Sequence, residues 1–206
     1  GAGSLWARRR ARGAGAARRA HAPYQEDDYY TRKAREMGVP ARSYFKLEEM
    51  DRRWSLLRPG HKVLDLGCYP GSWTLYAAEA VGPRGRVLGI DTQEVKIRLP
   101  PNVKTQVQDA RAFTGHRVPP LDVVLSDMAP QTGLNKRTDA GLSAELVELV
   151  LGIADLTLAP GGAVCAKIFD GPEREEVVRQ ASLRYQEVRT FRPMATRSMS
   201  SETYII

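Results

Sequence analysis

The sequence predicts an α/β fold, a mostly parallel sheet with helices on both faces, and three observations carry that prediction. Short apolar runs alternate with helical segments from residue 62 to the end. The first run passes straight into a glycine-rich turn, DLGCYPGSW. The last two runs, YQEVRTFRP and SSETYII, are joined by a loop with no room for a crossover helix, so they should pair antiparallel. Alternation of strands and helices requires parallel strands whose connections cross the sheet faces. With 206 residues, 42% apolar and 27% charged, the chain has room for one sizeable core and little for a second.

Taken in order, residues 1–22 (GAGSLWARRRARGAGAARRAHA) contain six arginines and no acid. They hold +6 of the net charge of +7, leaving about +1 for the rest. Without apolar periodicity this arm should have no packed structure of its own. An RNA-binding tail, an organellar transit peptide and a segment that only adds solubility all fit its composition. A single domain is expected over 23–206, with helices over 23–58 and the sheet-based core over 59–206. DDYYTRKAREMG begins with acids and ends on Gly38, as capping and helix-dipole preferences ask. ARSYFKLEEMDRRW brings Tyr44, Leu47, Met50 and Trp54 near one face, with Arg42 and Lys46 to its side.

The strands follow as KVLDL (62–66), GRVLGI (85–90), KTQVQ (104–108), LDVVLS (121–126) and GAVCAKIF (162–169). Between them a helix is expected from Ser72 to Val81, a short one near 93–98 and a long one over about 140–158. In the long helix Leu142, Leu146, Leu149, Val150 and Ile153 keep the 3.6-residue period and should cover a sheet face. PEREEVVRQAS (172–182) supplies the last helix.

Several function classes are disfavoured. The longest apolar helical stretch carries Glu145, Glu148 and Asp155, so no transmembrane helix and no membrane partner is expected. Cys68 and Cys165 lie in apolar contexts and read as buried thiols rather than a disulfide or metal pair. His21, His61 and His116 show no ligand spacing, and no metal is expected.

Candidate binding residues sit at strand ends. The turn after the first strand holds Asp65, Gly67 and Gly71, and a bare glycine backbone there lets a ligand lie in the crevice where open α/β sheets bind. Its G-x-x-x-G spacing departs from the dinucleotide fingerprint. The second strand ends in Asp91, placed to accept both hydroxyls of a ribose, and the third in Asp109, placed to accept from an adenine amine. Each alone has a structural explanation, since Asp and Gly are turn formers. Together at three successive strand ends they suit a ligand with a ribose and a base but little negative charge. S-adenosylmethionine meets that description better than NAD.

Asp127 ends the fourth strand in VLSDMAP, and Lys167 lies in the otherwise apolar fifth strand, where an unpaired ammonium would be costly. Glu202 opens the last strand and Lys46 lies in the second N-terminal helix. Two lysines and two carboxylates are thus expected to converge beside the crevice.

With this tetrad in ARSYFKLEEMD, VLSDMAP, AKIF and SSETY, and with DLGCYPGSW and GPRGRVLGID, the chain resembles the FtsJ/RlmE family of ribose 2′-O-methyltransferases over about residues 24–206. The resemblance implies a Rossmann-like S-adenosylmethionine-dependent fold of seven strands with an antiparallel last strand. It implies that Gly71, Trp73, Asp91, Asp109 and Asp127 contact S-adenosylmethionine, and that Lys46, Asp127, Lys167 and Glu202 are catalytic. It further implies methylation of a ribose 2′-hydroxyl at a uridine of large-subunit ribosomal RNA; the near-neutral body suits RNA held within the large ribosomal subunit, and a cytoplasmic monomer is the default expectation. The alternatives are a tRNA or mitochondrial rRNA substrate, with the arm as a mitochondrial transit peptide, and a non-catalytic ribosome-assembly factor. Cys68-Tyr69 and Gly71-Ser72 depart from the family pattern, and the bulk of Tyr69 should narrow the methionine end of the pocket.

The chemistry asks for alignment of a hydroxyl with an electrophilic methyl and for loss of the hydroxyl proton. Desolvation and the second cation, Lys46, should both depress the pKa of Lys167 and make it a base. Protonated, it would instead stabilise the developing alkoxide. Arg32, Lys33, Arg35, Arg42, Arg52, Arg53, Arg189, Arg192 and Arg197 are candidate phosphate contacts, with Tyr29, Tyr30 and Tyr44 as candidate stacking residues.

Overall fold

The computed structural model describes residues 32, 34–130, 135–194 and 202–206. The arm, the start of the first expected helix, Tyr29, Tyr30, Lys33 and Arg197 lie outside the described residues. The elements are α1 (Ala41–Trp54), β1 (Lys62–Leu66), α2 (Ser72–Val81), β2 (Arg86–Asp91), β3 (Val103–Val107), β4 (Leu121–Ser126), α3 (Lys136–Thr157), β5 (Leu158–Phe169), α4 (Arg174–Ser182), β6 (Thr190–Phe191) and β7 (Glu202–Ile205).

The seven strands form one sheet in the order β3-β2-β1-β4-β5-β7-β6. The first five are parallel, and β7 inserts antiparallel between β5 and β6. Strand alternation splits the core in two. Leu64, Leu66, Ile90, Val124 and Ile168 face α3, whereas Val63, Val87, Val123, Leu125, Cys165 and Tyr204 face α1 and α2.

Helix α1 keeps the expected spacing, with Tyr44, Leu47 and Met50 buried. Its end is clamped by the fully buried Asp51, whose two oxygens accept from the Leu57 backbone N–H (2.8 Å) and the Tyr76 hydroxyl (2.7 Å). Helix α2 starts after Gly71, whose φ of 120° admits no ordinary side chain and whose added Cβ would lie 2.7 Å from Ile97 Cδ1.

Two expectations fail for physical reasons. Residues 93–98 form no helix. Val95, Ile97 and Leu99 recur every second residue rather than every three or four, Pro100-Pro101 follows, and Ile97 and Leu99 pack as an extended strap on Ala34, Val39 and Leu75. In α3 the expected Val150 and Ile153 do lie in the core against the sheet, joined there by Ala144, Val147, Leu151 and Ala154. Leu142, Leu146 and Leu149 instead wall the crevice above the strand ends. The helix also starts earlier than expected, where the Asn135 side chain accepts from the Thr138 N–H at 2.8 Å.

Candidate active site

The crevice opens at the C-terminal ends of β1 to β4 and encloses a cavity of about 590 Å³. Gly67, Tyr69, Asp91, Asp109, Asp127 and Met128 line it. Gly67 has a φ of 73°, and a Cβ there would collide with Met128, so glycine lets the turns after β1 and β4 close on each other.

Asp91 and Asp109 both reach the cavity while being held by backbone. Asp91 accepts from Tyr69 N–H through Oδ2 and from Gln93 N–H through Oδ1, both at 2.9 Å. Asp109 accepts from Arg111 N–H at 2.9 Å and caps the short turn of helix over Ala110–Ala112. Asp91 Oδ1 also faces the Thr92 hydroxyl at 3.4 Å, while Asp91 Oδ2 and Asp109 keep lone pairs for a ligand donor.

Gly71 and Trp73 are not among the residues that line this cavity. Gly71 faces Val95 and Ile97. Trp73 is buried between α1 and β7, its indole N–H donating to Ser43 O at 2.8 Å and its ring tilted against Tyr204.

The four tetrad residues do come together, from four elements. Lys46 on α1 donates to Glu202 Oε2 at 2.8 Å. Lys167 on β5 lies 3.4 Å from Glu202 Oε1 and 3.1 Å from Asp127 Oδ1. Asp127 follows β4 on the α1 side of the sheet, so it joins this chain of charges to the cavity it lines. Both lysines are under 10% exposed, so the pairing offsets a real desolvation cost.

The charge state of Lys167 differs from expectation. Burial pulls its pKa down, but Asp127 and Glu202 outweigh burial and hold it above its ordinary value. Glu202 shows the converse: burial raises it, yet Lys167 and Lys46 bring it below its ordinary value. Lys46 was expected to depress Lys167, but the Glu202 carboxylate sits between the two ammonium groups and takes a bond from each. Lys167 is therefore an ammonium at neutral pH.

Tyr204 is a residue the sequence reading passed over. Its hydroxyl donates to Asp127 Oδ1 at 2.8 Å, the oxygen that also faces Lys167. The signal was the strand period, which puts residues 202 and 204 on one face, with Lys167 directly opposite Tyr204. Asp65, fully buried beneath the loop, accepts from Thr74 Oγ1 at 2.8 Å through Oδ2, while Oδ1 has no partner. Burial, with Asp127 and Asp91 adding to it against the Thr74 bond, pushes its carboxyl up to about 7.

The candidate RNA contacts divide. Tyr44 is buried, with its hydroxyl on Glu79, and presents no stacking face. Arg52 pairs with Glu48 at 2.7 Å, and Arg53 and Arg189 lie over the Trp54 ring, each at 5.2 Å. Arg192 donates to the Glu202 carbonyl at 3.0 Å, which places one cation beside the tetrad. Cys68 and Cys165 are free and buried.

Comparison with known proteins agrees with this geometry. Residues 39–206 match the family described as FtsJ-like methyltransferase. Over 185 residues the chain is 44% identical to Ribosomal RNA large subunit methyltransferase E of Nitratidesulfovibrio vulgaris (strain DP4), covering 87% of this chain and 91% of that one. The protein of the same name from Sorangium cellulosum is 42% identical over 190 residues, covering 89% and 88%. The fold is that of a crystallised ribosomal RNA methyltransferase from Plasmodium falciparum, with a TM-score of 0.70 at 24% identity over 80% of this chain and 94% of that one.

Proposed function

Because the chain belongs to the FtsJ-like methyltransferase family, we propose that it transfers a methyl group from S-adenosylmethionine to a ribose 2′-hydroxyl of large-subunit ribosomal RNA, at a uridine. The observation that carries this reading is the run Lys46–Glu202–Lys167–Asp127, anchored at the mouth of a cavity of small-molecule size. The shared name of the curated relatives brings large-subunit RNA into it.

The cavity suits the donor. Asp91 and Asp109 offer acceptors at two successive strand ends for a ribose and a base amine, and Gly67 leaves the loop without a side chain. Bound there, the sulfonium donor supplies an electrophilic methyl. The protein's part is positional and electrostatic. Asp127 and Glu202 fix the Lys167 ammonium, which donates to one lone pair of the ribose 2′-oxygen and so orients the other toward the methyl. The O–C bond forms as the S–C bond breaks. The hydroxyl proton grows acidic as that bond forms, so a carboxylate is basic enough to take it late, and Asp127 is at hand. Lys46 neutralises Glu202 and keeps it from drawing Lys167 away from Asp127. The enzyme acts as a monomer in the cytoplasm on the ribosomal particle.

The test is methylation of ribosomal particles lacking the modification by the purified protein with labelled donor, followed by mass spectrometric mapping. One ribose-methylated uridine in large-subunit RNA is expected. Label on a base, or none on RNA, overturns the reading.

A further inference from the structure

A second groove of about 880 Å³ lies on the opposite wing of the sheet, where α3 does not reach. Its floor is one face of β1, β2 and β3. The parallel register sets Lys62 beside Arg86 and Leu88 beside Lys104, and alternation brings Gln106 to the same face. The segment before β4 closes the other side, with Phe113 and Val118 half-buried and Arg117 exposed.

Lys62, Arg86, Lys104 and Arg117 line this groove and no carboxylate does. Residues 23–206 together carry a net charge of only about +1, so four cations without an acid are a segregation of charge rather than an average surface. Arg86 gives its guanidinium to the Gly85 carbonyl at 3.0 Å. The side-chain cations of Lys62, Lys104 and Arg117 make no ion pair among the described residues. The nearest acid on the neighbouring strand, Asp122, is engaged by the Lys62 backbone N–H at 2.8 Å.

Three features single out the ligand class. The cations come from three strands and a loop, so they are spread along the groove rather than gathered at one point, as a repeating phosphate backbone requires. Phe113 and Leu88 give the floor an apolar surface on which a base can rest. Gln108, just after β3, lines both this groove and the methyl-transfer crevice, so the two are neighbours across that residue.

We infer that this groove is a second docking surface for the RNA substrate, holding the phosphate backbone of a segment remote from the methylated ribose. β2 and β5 are three strands apart in the sheet, about 14 Å, so the groove contacts a different nucleotide from the one at Lys167. This rests on RNA being the substrate.

The experiment compares the full chain with the triple variant Lys62→Gln, Lys104→Gln, Arg117→Gln. Binding to RNA purified from large ribosomal subunits is measured across a salt series, and steady-state methylation of large subunits lacking the modification gives KM and kcat. Losing three phosphate contacts should flatten the slope of log K against log salt by about 2 and raise KM roughly tenfold, with kcat within about twofold. A control variant, Arg174→Gln, Arg179→Gln, Arg184→Gln, removes the same charge from the α4 side and should keep the parental slope. Thermal unfolding of both variants should match the parent.

An unchanged slope and KM for the groove variant overturns the inference, as does an equal loss in the control. Weaker binding to intact subunits with unchanged binding to naked RNA overturns it in favour of a ribosomal-protein contact. Should the parent bind RNA with the expected slope yet transfer no methyl, the proposed function fails while the groove stands.

Discussion

At the β4–β5–β7 end of the crevice the carboxylates of Asp127 and Glu202 are met by buried ammonium groups from other elements, while at the β2–β3 end Asp91 and Asp109 are met by backbone N–H groups nearby, the exposed Arg111 side chain adding a 3.5 Å contact to Asp109. The residue type is the same and the consequence is opposite. A carboxylate capped by backbone fixes a loop and keeps lone pairs for a neutral ligand. A carboxylate shared by cations fixes where those cations sit and keeps them charged. Asp65 lies between the two regions with neither solution, holding one threonine hydroxyl and an unpartnered oxygen.

The sharpest way to break this contrast is Lys167→Ala. If the tetrad end performs the chemistry and the other end holds the donor, kcat for methyl transfer should fall by about 10³ while the dissociation constant for S-adenosylmethionine stays within about threefold. Single-turnover transfer and calorimetric titration check the two halves separately. Substantial turnover by this variant would remove the ammonium from the mechanism.

Asp65 tests the intermediate case through pH. Its native carboxyl titrates near 7 against 3.8 in the unfolded chain, so the native state holds a proton that the unfolded state has lost. Its contribution to stability is therefore full below about 3.8 and is lost as pH rises to about 7. The shift corresponds to roughly 4 kcal/mol. Asp65→Asn removes that window, so the variant should gain on the parent as denaturant unfolding is repeated from pH 4 to pH 8. Parallel stability curves for the two proteins would show that the carboxyl is not held protonated.

How much of this was readable beforehand follows from how local each cause is. The bounds of α1, β1, α2 and β4 coincide with the periodic segments, because their patterns and breakers lie within a few residues. The strap at 93–98 was misread because sparse apolar residues fit two periods until Leu99 and the prolines are weighed with them. In α3 Val150 and Ile153 met the sheet as expected, while Leu142, Leu146 and Leu149 turned to the crevice, a division set by the loops around the strand ends rather than by the helix's own period. The tetrad was legible from motif order. The charge on Lys167 was not, because it depends on Glu202 standing between two lysines, one of them 156 residues away in sequence.

The donor end should respond differently from the tetrad. Asp91→Ala removes an acceptor from the ligand and also frees the Tyr69 and Gln93 N–H groups that shape the loop. Hydrogen bonds to a charged group are each worth about 1.5–3 kcal/mol, so the donor's dissociation constant should rise roughly 10- to 100-fold. At saturating donor, kcat should return to near the parental value. A fall in kcat that added donor cannot rescue would mean that the two ends are one machine.

The smallest effect expected is also the most specific to the geometry. Tyr204→Phe keeps the ring that packs on Trp73 and deletes only the hydroxyl that Asp127 Oδ1 receives. Lys167 still faces that oxygen at 3.1 Å, so Asp127 keeps its ion pair and the fold keeps its core. The loss should be about 1 kcal/mol, or roughly fivefold in kcat, with donor binding unchanged. A structural role for the hydroxyl would instead lower the thermal midpoint along with kcat, so thermal unfolding measured beside single-turnover transfer separates the two accounts.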